Sequence, residues 1–375
     1  MSDKVIVGVD VRELQETVKT GTGRFVSNFL AIAPEKKPEW EFVLFGNQYT
    51  RFPQEAPNLR QVMIKEKSTL WWDQVALVEA LRKENVKIFF SPYPKAPIFK
   101  PCKIIVTIHD LTPFLPGFPR KKDSWLLEAV KKQINMFIAK RADLVLTVSQ
   151  HSLKDLIQVF KLPVEKIRVV YNGLAKDFGP VNDNVQLQKI KEKYSSGSEY
   201  LLYIGNLLPH KNVLGLLKAY AILPGQLRKQ YRLVIIGKHD KNLPGLETLC
   251  LKLGIDGQVI FHDIADDKEL PALYSAATLF VFPSFYEGFG LPVLEAMACG
   301  TATVSSFAAS LPEVTSEAAW SVNPQYPEEL SQAIRALLED PIKRQSFKAK
   351  GILQAKLFSL EKTTDLIVHA IEEIV

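Results

Sequence analysis

Two carboxylates eight positions apart, Glu287 and Glu295, bracket the segment EGFGLPVLE. The glycine-rich turn Gly288–Phe289–Gly290 lets backbone come close to a ligand. Leu291 and Pro292 then open a helix, and the missing N–H of proline costs nothing in a first helical turn. The free N–H groups at such a start favour an anion, most naturally a phosphate. Glu295, about one turn into the helix, reaches past that phosphate and suits vicinal hydroxyls such as a ribose diol. Glu287 precedes the helix and accepts hydrogen bonds from a sugar ring on the other side. The pattern describes a diphosphate held between two hydroxyl-rich groups, which is a nucleotide sugar. Taken alone, the same spacing also suits an ordinary helix start with incidental acids.

Such residues need strand ends and helix starts to hold them. The strand-like runs of the first half are KVIVGVDV, EFVLFGN, KIFFSPY, KIIVTIHD, LVLTVS and IRVVYNG. In the second half they are YLLYIGN, YRLVIIGK, QVIFHDI, TLFVFPS and TATVSS. Continuous apolar runs suit strands buried on both faces, and helical stretches between them make βαβ units. The 375 residues exceed what one core usually supports, so two domains are expected. The polar, Gly- and Pro-broken stretch Lys176–Ser198 marks the boundary. The expectation is therefore an α/β protein of two doubly wound, Rossmann-like domains facing each other across a cleft. An N-terminal acceptor-binding domain spans 1–182 and a nucleotide-sugar-binding domain spans 183–355. A C-terminal helix of about 356–375 is free to pack back onto the first.

Composition excludes several classes. No apolar run reaches the roughly 18 residues of a spanning helix. The opening MSDKVIVGVD enters a strand at once and reads without a secretory signal. Cys102, Cys250 and Cys299 are too few and scattered for a disulfide framework, which points to a reducing cytoplasm. No Asp-x-Asp pair or His/Cys cluster suggests a metal, so no metal ligand and no cofactor are assigned. Residues 1–182 carry 28 Lys and Arg against 19 Asp and Glu, the remainder 19 against 22. The excess is dense in Arg120–Arg141, read as an amphipathic helix with Trp125, Leu126, Val130, Ile134, Phe137 and Ile138 on or near one face. The plain expectation is a solvated basic face over a core-facing stripe. The alternative is an anionic membrane surface, with a protein peripheral on the inner face. Nucleic acid is not expected, since no binding motif accompanies the charge. The pair Trp71–Trp72 is assigned to the core or to acceptor-cleft packing, with a place near the membrane interface as the alternative.

EGFGLPVLEAMACGT resembles the Glu-x7-Glu signature of the retaining GT-B glycosyltransferases of family 4. GTGRFVSNFL, SPYPKAP, VTIHDLTPF, VSQHSLKDL, VVYNGL, YIGNLLPHKN and ALYSAATLFVFPS follow in family order. The flavour is that of bacterial polysaccharide mannosyl- and rhamnosyltransferases. The resemblance implies that Lys211 pairs with the donor diphosphate, offsetting charge on the leaving group. Asn206 stands where the family often has arginine, so His210 or Lys238 is a candidate replacement. Gly21 and Gly23 become the loop beside donor phosphates and acceptor, although a lone G-x-G is otherwise only a helix-entry turn. His109, ending KIIVTIHD, touches the transferred sugar. Asp110 is the weaker candidate and fixes the following loop instead. Backbone around His262–Ile264 meets the nucleobase, which hides GDP from UDP.

The resemblance also implies retention of anomeric configuration. The acceptor attacks on the face the diphosphate leaves, and the leaving phosphate serves as base. Glu287 orients the sugar. GDP-mannose is the leading donor and a saccharide or lipid-linked saccharide the acceptor, in glycan biosynthesis. The rivals are a UDP-sugar-dependent transferase, a sugar-nucleotide epimerase, a glycoside hydrolase and a silent nucleotide-sugar binder. A hydrolase also flanks its bond with two carboxylates but leaves the phosphate-ready helix start unexplained.

Overall fold

The computed structural model describes residues 4–15, 21–52, 56–114 and 125–375. It divides into two compact units, one of residues up to Gly173 together with Leu360–Val375, the other Leu174–Ser359.

In the first unit the described strands are β1 Ile6–Asp10, β2 Glu41–Gly46, β3 Leu59–Met63, β4 Ile88–Ser91, β5 Lys103–Thr107, β6 Leu144–Thr147 and β7 Ile167–Val169. They form a parallel sheet in the order β3-β2-β1-β4-β5-β6-β7. In the second unit β8 Glu199–Ile204, β9 Tyr231–Ile236, β10 Val259–His262, β11 Leu279–Phe282, β12 Thr303–Ser306 and β13 Trp320–Val322 follow the order β10-β9-β8-β11-β12-β13. Both sheets are doubly wound, and each reverses direction once, between β1 and β4 and between β8 and β11. Val7, Val9, Phe89, Phe90, Leu201, Leu202, Phe280 and Val281 are fully buried, as strands covered on both faces require.

The division falls at 173/174 rather than 182/183. Leu174 already pairs with the second unit, its N–H donating to the Phe358 carbonyl at 3.0 Å. The polar stretch Lys176–Ser198 is not an open linker either. It holds the helix Asn184–Ser195, whose N-cap Asp183 accepts from Val185 and Gln186 N–H. Ile190 and Tyr194, one turn apart, bury its inner face. The returning helix begins at Leu360 rather than near 356. It lays Ile367 and Ile371 into the core cluster that holds Phe29 and Leu30, with Lys36 paired to Asp365.

The basic helix runs from Trp125 to Arg141, but three residues of its stripe do not face the core. Val130, Ile134 and Phe137 are 46%, 51% and 45% exposed, while Ile138 of the same stripe is buried, next to the buried Ala139. Lys121, Lys122 and the side chains of Trp125 and Leu126 lie outside the described residues. Trp72 is core, its indole N–H donating to the Ile64 carbonyl at 3.2 Å, while Trp71 is only partly covered.

Candidate functional site

In an open α/β sheet a ligand sits beyond the carboxyl ends of the strands where the winding reverses. In the second unit that point is the end of β8 and β11. Beyond β8 the chain turns at Gly205, against which Gly237 packs so closely that a Cβ would lie 2.0 Å from the Gly205 carbonyl oxygen. A short turn, Pro209–Lys211, follows. Asn212 then caps the next helix in the left-handed conformation at φ 56°, its side chain accepting from Gly215 N–H. The Asn212 amide also donates to the carbonyls of Pro283 at 3.1 Å and Pro324 at 2.7 Å. Phe285 N–H donates to the His210 carbonyl at 2.8 Å. These bonds deliver Lys211 to the loop that follows β11.

There the Lys211 ammonium donates to both carboxylate oxygens of Glu287, each at 2.7 Å. The two side chains are 15% and 9% exposed, so the pair is largely withdrawn from water. The ammonium also lies 5.8 Å from the centre of the Phe282 ring. The loop itself is pinned. The Ser310 hydroxyl stands 2.9 Å from the Glu287 carbonyl and 3.0 Å from that of Phe289. The Ser284 hydroxyl, fully buried, meets no partner among the described residues. Gly290 closes the loop at φ 107°, ψ 44° and becomes the N-cap of the helix Leu291–Ala298. Its missing side chain is required, since a Cβ would lie 2.5 Å from Leu311 Cδ2. The helix ends with Gly300 N–H bonded to Met297 and Thr301 N–H to Ala296.

Glu295 sits inside that helix, buried, and accepts from the Tyr274 hydroxyl at 2.8 Å. The structure therefore brings Lys211, Glu287, Gly288, Phe289, Gly290, Leu291 and Glu295 to one strand-end region. Asn206 joins the same turn after β8, its side chain accepting from Leu208 N–H at 3.3 Å. His262 ends the edge strand β10, with its ring on the Tyr194 carbonyl at 2.9 Å and its own carbonyl accepting from Gly237. Ile264 beyond it is 72% exposed, and its N–H bonds to the Asp263 side chain.

The remaining predicted residues stand in the first unit. Gly21 and Gly23 are not a loop but the first turn of the helix Gly21–Lys36, and residues 16–20 lie outside the described residues. His109 follows β5 by two residues. Its Nε2 lies 3.0 Å from the Pro92 carbonyl, and its ring packs edge-on against Phe25 at 5.1 Å. A carbonyl only accepts, so Nε2 carries the proton and Nδ1 is left as an acceptor. Burial holds the imidazole below its ordinary pKa, so it is neutral near pH 7. Asp110 fixes the following loop by accepting from Thr112 N–H at 2.9 Å.

Sequence reasoning did not find Asn212, Tyr274 or Ser310, nor the pairing of Lys211 with Glu287. Asn212 carried a signal, an Asn directly before an apolar helix. Tyr274 and Ser310 act on partners 21 and 23 residues away and had none.

The family model for glycosyl transferases group 1 matches residues 185–354, and the model for glycosyltransferase family 4 matches residues 32–178. The chain is 34% identical over 270 residues to O-antigen chain mannosyltransferase B of Escherichia coli, covering 72% of this chain and 70% of that protein. It is 31% identical over 271 residues to the serotype-specific mannosyltransferase WbdA of Escherichia coli, but spans only 33% of that longer protein. Among solved structures, sucrose-phosphate synthase of Thermosynechococcus elongatus superposes with a TM-score of 0.79 at 21% identity, covering 99% of each chain. Anabaena HepE in complex with UDP gives 0.74 at 18% identity, covering 98% of this chain and 100% of that one.

Proposed function

The chain belongs to the family 4 glycosyltransferases, and from that premise we propose that it transfers mannose from GDP-mannose to a saccharide or lipid-linked saccharide acceptor with retention of configuration. The observation that carries the donor site is the buried Lys211–Glu287 pair beside the phosphate-ready helix start at Gly290. Mannose is supported by the mannosyltransferase relatives. A UDP-linked donor is the second reading, favoured by the UDP held in HepE.

Each group has a defined task in this reading. The incoming diphosphate lies at the N–H groups of the helix start and draws Lys211 from Glu287. That cation then offsets the charge growing on the leaving diphosphate. Glu287, freed on one side, orients a hydroxyl of the transferred sugar. Glu295 holds the ribose diol in the position set by Tyr274. His109, held neutral, offers Nδ1 or its backbone to the sugar, and the leaving phosphate takes the acceptor proton. Asn206 and the backbone near His262 and Ile264 border the nucleotide, and Gly21 and Gly23 the phosphates. Lys211, the helix start and the glycine turns supply the positive field, so no metal is assigned.

Turnover of GDP-mannose in EDTA, followed by NMR of the anomeric proton of the product, tests this reading. Retained activity with α product from the α donor is expected. Activity lost on chelation and restored by manganese would contradict the metal-free mechanism, and β product would contradict retention.

The exposed Val130, Ile134 and Phe137 lie on a helix with Lys131, Lys132, Lys140 and Arg141. An apolar stripe flanked by cations suits an anionic bilayer surface, at about 1 kcal/mol per Lys or Arg near the lipid. Among the described residues no helix is long and apolar enough to cross a membrane. Co-sedimentation with vesicles should be salt-sensitive and stronger for anionic than neutral lipid, and should weaken in Lys131→Gln/Lys132→Gln. Equal binding to both lipids would leave the stripe without this role.

A further inference from the structure

The first sheet reverses between β1 and β4 as the second does between β8 and β11, and its reversal point also carries a buried charged cluster. Asp10 is the last residue of β1, and the Arg12 guanidinium clamps it through Nε at 3.1 Å and Nη2 at 2.7 Å. The same Nη2 donates to Asp73 at 2.7 Å. The guanidinium lies 3.6 Å over the Trp72 ring, with Tyr93, two residues past β4, 5.8 Å away. All five side chains are buried.

This frame is more than a staple, because it is incompletely used. Among the described residues no group accepts from Arg12 Nη1, and the second oxygen of Asp73 receives no bond. The Tyr93 hydroxyl, on a side chain about nine-tenths buried, meets no partner of ordinary geometry. Buried polar groups are normally satisfied, and each exception calls for an explanation. Donors on Nη1, an acceptor on Asp73 and a hydroxyl able to do both make the complement of a diol beside an aromatic ring. Two carboxylates face one guanidinium and the Lys95 ammonium, which lies 5.0 Å from the Tyr93 ring centre, so the charges balance and the cluster suits neutral hydroxyls. Burial pushes the Asp73 carboxyl above its usual range, although Arg12 and Lys95 oppose it.

We propose that Arg12, Asp73 and Tyr93, held by Asp10 and Trp72, form a subsite for the neutral hydroxyls of the acceptor saccharide. The proposal rests on the glycosyltransferase reading and names the acceptor side of it.

Saturation-transfer NMR tests it, with the methyl glycosides of mannose, rhamnose, galactose, glucose and N-acetylglucosamine as probes. At least one should bind the wild type. Tyr93→Phe removes one hydroxyl and keeps the ring, so the fold is kept, and that glycoside should bind about three- to tenfold more weakly. Asp73→Asn should weaken it too, and inorganic phosphate should not compete. The response of the melting temperature to GDP should be the same in Tyr93→Phe and wild type. No glycoside bound by the wild type, unchanged binding in Tyr93→Phe, or displacement by phosphate would each overturn the subsite. A wild type that responds to no nucleoside diphosphate would instead overturn the donor reading beneath it.

Discussion

Glu287→Gln should lower kcat about a hundredfold, the loss typical of one preorganised electrostatic partner, near 3 kcal/mol. The sugar gains positive charge as the glycosidic bond breaks, so a carboxylate beside it binds the transition state more tightly than the ground state. KM for the donor should change less than kcat. The Lys211 pairing adds a second consequence. With Glu287 neutral, Lys211 keeps a largely buried charge without its partner, and breaking such a pair from one side costs about 3–5 kcal/mol at most when burial is complete. Lys211→Met/Glu287→Gln should therefore recover stability lost in Glu287→Gln without recovering activity. Glu295→Gln should behave differently, raising KM for the donor. Steady-state kinetics and urea unfolding of all three variants decide the matter. A Glu287→Gln enzyme with near-normal kcat would reverse the roles assigned to the two glutamates.

Gly290→Ala should cost both stability and donor affinity. The residue sits at φ 107°, where an L side chain is strained, at about 1–3 kcal/mol. Its new methyl would also press on Leu311, which is fully buried and has little freedom to retreat. The backbone N–H groups that should meet the diphosphate would then move with the loop. Denaturant unfolding should show the loss, and calorimetry should show GDP binding weakened more than tenfold. A variant as stable as wild type with unchanged GDP affinity would remove Gly290 from the phosphate site.

The central strands were legible because burial on both faces writes them as unbroken apolar runs. The two strands absent from the sequence reading, Leu59–Met63 and Trp320–Val322, are edge strands at the ends of their sheets. Arg60, Gln61 and Met63 are exposed, so the first shows no apolar run, and the second has only three residues. The helix Asn184–Ser195 was hidden by its polarity, with only Ile190, Tyr194 and Ser195 buried. Glu287, Glu295 and Lys211 were legible because glycines, a proline and a helix start surround them in sequence. The ion pair between Glu287 and Lys211 was not, because it joins residues 76 apart through the winding of the sheet. The exposed stripe of Val130, Ile134 and Phe137 misled for a physical reason, since periodicity shows an apolar face but not what covers it.

The most direct test of the donor site is thermal unfolding of the wild type with GDP, UDP, ADP and TDP. A nucleoside diphosphate that binds only the folded chain, at about 100 times its Kd, stabilises it by about 2.7 kcal/mol. GDP should raise the melting temperature most, and Lys211→Met should reduce that rise. If none of the four moves the transition, the strand-end region around Lys211, Glu287 and Gly290 is not a nucleotide-sugar site.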